Sequence, residues 1–192
     1  MTTSDGRDPF DGPENDYDPF ADLAGRAGLN VGITELPGSD AWWLHDDQTI
    51  LLDSGLDDIE RRVMAAHMAA HLDLGHNPIP TVMNKITARA HRQEVEAQRL
   101  TAQRLIPVQA LIWLLDNVSV CAEEVARQLR VTLPTLAKRM RNLTHDEWEE
   151  IRAATDNRLK WPENAEGRTL RCSILGSIFT SAPDVADAEI IQ

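Results

Sequence analysis

Cysteine is scarce in this chain. Its two cysteines, Cys121 and Cys172, are too few for a disulfide framework, and they read as reduced thiols of a cytosolic protein. Long apolar runs are absent. None reaches the roughly 20 residues a helix needs to cross a bilayer, so no membrane partner is expected. The opening residues, MTTSDGRDPF, lack the basic and apolar regions of a signal peptide, and a cytoplasmic location is the expectation. Basic residues are few as well: 19 Lys and Arg stand against 31 Asp and Glu, a net charge of −12. So acidic a surface disfavours non-specific binding to nucleic acid or to anionic membranes by the whole molecule, though not by one local patch. The remainder, 42% hydrophobic and 26% charged over 192 residues, is ordinary for one globular domain or one domain with a small appendage.

Residues 1–20 are acidic, proline-rich and poor in apolar side chains, and read as a disordered tail. The tail contains Asp8-Pro9-Phe10 and again Asp18-Pro19-Phe20. The repeated Phe is open to two readings, a docking element for a partner or a coincidence in which Phe20 packs on the domain edge. Phe20–Ala27 reads as a short helix. Leu29–Leu36, Asp40–His45 and Gln48–Asp53 read as three short strands in a meander, with Pro37-Gly38 and Asp46-Asp47 as turns. Trp42 and Trp43 then point to opposite faces of the middle strand.

Ser54 or Asp57 can cap the next helix, whose first turn holds Asp57, Asp58 and Glu60 where the macrodipole favours acids. Gly75 is its natural stop, and Asn77–Pro80 is a loop. Asn84–Ile106 is the longest helical stretch, with Val95, Leu100, Ala102, Leu105 and Ile106 as its buried side. Helices follow at Val108–Leu115, Ala122–Leu129, Pro134–Asn142 and Asp146–Ala154, the last capped by Thr144. Arg171–Thr180 has a strand pattern, and Ser181–Gln192 reads as a loose end.

The chemistry concentrates in Arg61–His76, RRVMAAHMAAHLDLGH. On a helix His67 and His71 lie about 40° apart on one face. Two imidazoles so placed can hold one zinc ion. The zinc-protease pattern H-E-x-x-H carries its general base beside the first histidine, and here that position is Met68, whose thioether takes no proton. A third ligand is required. On the following long helix Glu96 is the choice, with Glu94 as competitor about 160° away around the helix. Asp73, His76 and Glu94 are the nearest other candidate bases. Asp73 sits about 120° round the helix from His67 and points away from the metal. Each histidine also has an ordinary reading, in which His67 and His71 hydrogen-bond to neighbours in a decayed site and His91 is an exposed helix residue.

The run R-R-x-x-x-A-H-x-x-A-H-x-x-L-G-H, followed by E-A-x-x-x-x-A-x-x-L-I-P, resembles the ImmA/IrrE family of metallopeptidases across about residues 28–150. Arg61-Arg62, Ala66-His67, His71 and Leu74-Gly75-His76 carry the first motif. Glu96-Ala97, Ala102 and Leu105-Ile106-Pro107 carry the second. The resemblance implies an α+β fold, a mainly helical zincin-like metallopeptidase domain with a small N-terminal β-meander. That domain would span 21–108, with a helical helix-turn-helix-like segment packed on it over 109–156 and an irregular tail at 157–192. It implies zinc held by His67, His71 and Glu96, with His76 supporting a ligand or anchoring the loop after it. It implies a helix-turn-helix repressor of a phage, prophage or mobile element as substrate or binding partner. Met68 departs from the family pattern, so no catalytic base is intact. Impaired cleavage and binding without cleavage, as a pseudoenzyme, are both open.

A second class of function is written in SVCAEEVARQLRVTLPTLAKRMRNL, residues 119–143. Two helices joined by Arg130-Val131-Thr132 have helix-turn-helix spacing. Thr135, Lys138, Arg139 and Arg141 on the second would meet phosphates or a guanine edge if the protein is a sequence-specific DNA-binding regulator through 122–142. The other reading is structural or partner-docking. Glu123 and Glu124 on the first helix weigh against DNA.

Overall fold

A computed structural model describes residues 15–76, 88–117 and 122–155. The first Asp-Pro-Phe, the loop at 77–80, the start of the long helix at 84–87, the strand expected at 171–180, the end at 181–192 and both cysteines lie outside these residues.

Among the described residues the order is α1 (Pro19–Ala24), β1 (Asn30–Thr34), β2 (Ala41–Leu44), β3 (Thr49–Asp53) and α2 (Asp58–Asp73). Then come α3 (Ala88–Leu105), α4 (Val108–Asn117), α5 (Ala122–Gln128), α6 (Leu133–Arg141) and α7 (His145–Ala154). The class is mixed α+β, as expected, but the sheet is not a meander. Its order is β1-β3-β2, with β2 antiparallel to β3 and β1 parallel to it. The most apolar strand, Thr49–Asp53, takes the centre, where Ile50 and Leu52 are fully buried. The crossover from β1 is pinned by Asp53 at the end of β3, whose carboxylate accepts from the Leu36 N–H at 2.8 Å. Trp43 turns toward the core while Trp42 stays 43% exposed on the opposite face.

Helix α2 begins in a reciprocal cap: the Asp57 carboxylate accepts from the Glu60 N–H, and Glu60 from the Asp57 N–H. It ends in a Schellman motif. Gly75 adopts φ +62°, the Gly75 N–H reaches the Leu72 carbonyl at 3.1 Å and the His76 N–H reaches the His71 carbonyl at 3.0 Å. Between these ends Ala65, Ala66, Ala69 and Ala70 have no exposed surface. Ala65 and Ala69 face the cluster of Leu23, Ile50 and Leu52. Ala66 faces a second cluster built from Leu105, Ile106 and helices α4 to α7. That cluster runs across residue 108, where the sequence suggested a boundary.

The tail expected over 1–20 is anchored from residue 15. The Asn15 amide donates to the carbonyls of Arg104 and Leu105 at 2.9 and 2.8 Å, satisfying the open end of α3. The Tyr17 hydroxyl donates to Asp22, and Asp18 caps α1. Polar partners at two helix ends give this acidic stretch a fixed place that composition does not reveal. No helix among the described residues is long and apolar enough to cross a membrane.

Candidate metal centre

His67 and His71 stand one turn apart on α2, both side chains largely buried, with their Nε2 atoms 3.1 Å apart. The carboxylate that joins them is Glu94. Its Oε1 lies 3.2 Å from His67 Nε2 and its Oε2 lies 3.4 Å from His71 Nε2. Zn–N and Zn–O bonds of about 2.0–2.1 Å at tetrahedral angles put donor atoms about 3.3 Å apart. The three separations match that spacing, and the three groups could hold one metal ion. The Gln98 amide donates to Glu94 Oε1 at 2.8 Å and steadies the carboxylate. Hydrogen bonds from His67 first, and then His71, hold the Glu94 carboxyl far below the usual carboxylate range, against the opposing effect of burial.

Glu96 is therefore not placed beside the histidine pair. It meets His76, Oε2 to Nε2 at 3.3 Å, and its side chain is 54% exposed. The reason is the rotation of α3. Val95, expected inside, is 41% exposed, and the buried stripe is Ala97, Thr101, Ala102 and Leu105. Glu94 is one turn before Ala97 and Gln98 on that stripe, whereas Glu96 lies about 200° round from Glu94. Ala102 and Leu105 fall inside as expected, but the earlier part of the stripe is alanine and threonine against the alanine-rich α2, so Val95 misreports its phase. Sequence reasoning weighed Glu94 and set it aside, and it missed Gln98, for which the i, i+4 spacing to Glu94 was the available signal.

His76 is buried and sits under His71, with Nδ1 to Nδ1 at 3.1 Å. Asp73 points away from the pair, as expected, and forms ion pairs with Arg26 and Arg104. His91 is exposed. Met68, 8% exposed, lines a cavity of about 400 Å³ together with Trp43, Met64, His67, His71 and Glu94. A second cavity of about 340 Å³ shares Met64, His67 and Glu94 and extends to Pro134, Thr135 and Lys138 on α6. Together they make a groove with His67 and Glu94 at its middle.

Two of the four residues expected to face DNA or a partner, Thr135 and Lys138, thus line this groove. Arg139 does not face outward at all. It is 2% exposed, with Nε donating to the Ile106 carbonyl at 2.9 Å and both terminal nitrogens donating to the Glu147 carboxylate at 2.9 and 2.6 Å. It lies on the same stripe of α6 as Leu136 and Met140, which the run of basic residues conceals. Only Arg141 of the four is exposed.

No known protein family and no curated protein matches the sequence.

Proposed function

We propose that this protein is a zinc-binding regulator of ImmA/IrrE type that grips a helix-turn-helix repressor in the groove between β2, α3 and α6. In this reading cleavage is weak or absent because Met68 stands where a general base is needed. The observation that carries the reading is the convergence of His67 Nε2, His71 Nε2 and the Glu94 carboxylate at zinc-ligand spacing, with Met68 on the same cavity wall. The ligand set proposed is His67, His71 and Glu94. Zinc held there would polarise a peptide carbonyl and acidify water. The chain itself supplies the rest. Gln98 holds Glu94, the groove walls bind and orient an extended segment, and Met68 offers an apolar surface that accepts no proton.

The test is metal content followed by repressor cleavage. Purified protein should carry about one zinc per chain and lose it on His71→Ala. Zinc-loaded Met68→Glu, with its fold checked because position 68 is nearly buried, should cut a bound repressor about 10²–10⁴-fold faster than wild type, and a chelator should stop it. A metal-free and equally stable wild-type protein would remove the proposal.

A further inference from the structure

Strand β1 is an open edge of the sheet. Its pairing with β3 is parallel, with Val31 beside Ile50 and Ile33 beside Leu52. The Asn30 N–H donates to the Gln48 carbonyl at 2.8 Å, and the Ser54 N–H donates to the Thr34 carbonyl at 2.8 Å. Alternate residues of a strand turn their backbone groups to opposite edges. Asn30, Gly32 and Thr34 therefore bond β3, and Val31 and Ile33 turn their N–H and C=O groups outward. Among the described residues no strand lies on that side.

The edge lacks the features that keep edge strands apart. Asn30–Thr34 has no charged residue and no proline, and it pairs with β3 through five consecutive residues without a bulge. Val31 and Ile33 share a face with the fully buried Ile50 and Leu52, yet they are 38% and 56% exposed. The apolar face of the sheet thus runs past the core and out to the edge. The opposite edge, β2, borders the metal-centre cavity through Ala41 and Trp43, so β1 lies on the far side of the sheet from the groove.

The strand is also complementary to itself. With a two-fold axis at Gly32, the Val31 N–H donates to the C=O of the partner's Ile33, and the Ile33 N–H to the C=O of the partner's Val31. The symmetric pair doubles these to four bonds. Gly32 then meets its own copy at the closer, non-hydrogen-bonded position, and it carries no side chain to hold the strands apart. Val31 stands across from the partner's Ile33 on each side of the axis, which joins four apolar side chains into one patch. In this register no two charges face each other, because Asn30 falls opposite the partner's Thr34 and Glu35 opposite the partner's Leu29.

We propose that β1 is a self-association edge, through which two copies of this chain pair antiparallel about Gly32 into one six-stranded sheet. Both grooves stay open at the outer edges, and the pairing does not depend on the metal-centre reading. So short a contact belongs to the weak, transient class of interface. Each copy carries a net charge of −12, so salt that screens the repulsion favours association.

The test is sedimentation equilibrium of the full chain up to about 500 µM, a range suited to a weak interface, at low and at high salt. A monomer–dimer equilibrium should appear and tighten at high salt. Val31→Pro removes an outward N–H from each copy and none from the β3 ladder. Ile33→Lys puts a charge against the partner's Val31. Each should weaken the dimer at least about tenfold, while melting of the dilute protein changes little. Trp42→Ser, on the other face, should leave the dimer as it is. In hydrogen exchange the Val31 and Ile33 amides should slow as concentration rises, and Gly32 should be protected throughout. A monomer at the highest concentration in both salts would overturn the proposal and leave the edge to a strand of another protein. A dimer that survives both β1 variants would place the contact elsewhere and overturn it as well.

Discussion

Arg139 and Glu147 form a two-pronged ion pair across the α6–α7 junction, and the guanidinium is shut away from solvent by the helices it joins. Glu147 belongs at once to this pair and to the reciprocal cap with Thr144 that starts α7. Removing one partner of a buried pair strands the other, so Arg139→Ala should destabilise the fold by about 3 kcal/mol. Arg141→Ala, at an exposed position, should change stability by no more than about 0.5 kcal/mol. Urea denaturation measures both. Equal stability of the two variants would return Arg139 to the surface and to the DNA-binding reading.

The same pair sets an acid limit. The Arg139 guanidinium holds the Glu147 carboxyl below its ordinary value of 4.5, against a partial burial that pushes the other way. A depressed carboxylate stabilises the folded state above its unfolded pKa and loses that contribution as pH falls through its folded pKa. The stability difference between wild type and Arg139→Met should therefore be constant above pH 4.5 and shrink below it. A difference that grows on acidification would contradict the pairing.

Glu94 and Glu96 should separate cleanly in metal affinity. Glu94→Ala removes a donor atom, so its loss should exceed the roughly 100-fold upper range for an outer partner, and Gln98→Ala should lose about tenfold. Competition with a chromophoric chelator gives the ranking. A Glu96 variant weaker than the Glu94 variant would reverse the ligand assignment.

Gly75→Ala should cost about 1–2 kcal/mol, because an L-residue at φ +62° is strained although nothing lies within 4 Å of the added methyl. Thermal melts should show Gly75→Asn between the two, since Asn tolerates the left-handed region better. Zinc affinity should follow the same order, as the strain displaces His76 from beneath His71.

Tyr17 is the chain's one tyrosine, so tyrosinate absorbance reports it alone. Burial, and then the hydrogen bond to Asp22, raise its pKa to about 12. A raised phenol pKa adds stability that is complete below the unfolded value of 10 and lost as pH rises through 12. Titration at about 10 in the folded protein would mean that residues 15–18 are not docked on α3.

Much of the scaffold was legible locally. The Asp57 and Thr144 caps, the stop at Gly75 and the facing pair His67 and His71 all follow from spacings of one to four residues. What escaped depends on contacts distant in sequence or on unusual faces. The parallel pairing of β1 with β3 is decided by which strand best fills the centre, and alternation along each strand does not record that. The phase of α3 was misjudged in its first half because its buried stripe opens with alanine and threonine, ahead of Leu105, while Val95 faces water. Arg139 carries the signature of a surface cation, and only its partner eight residues on shows otherwise.

The four alanines of α2 divide labour within one helix. Ala65 and Ala69 hold it to the sheet-side cluster and Ala66 to the helical cluster, while His67 and His71 project into the groove from another side. Adhesion and chemistry therefore reside on separate residues a single step apart. Position 68 is the exception, because Met68 lines the cavity and also packs with Leu23, Ile50 and Leu52 in the sheet-side cluster. By the same token, enlarging Ala66 or Ala69 should wreck the centre while leaving every ligand in place in the sequence.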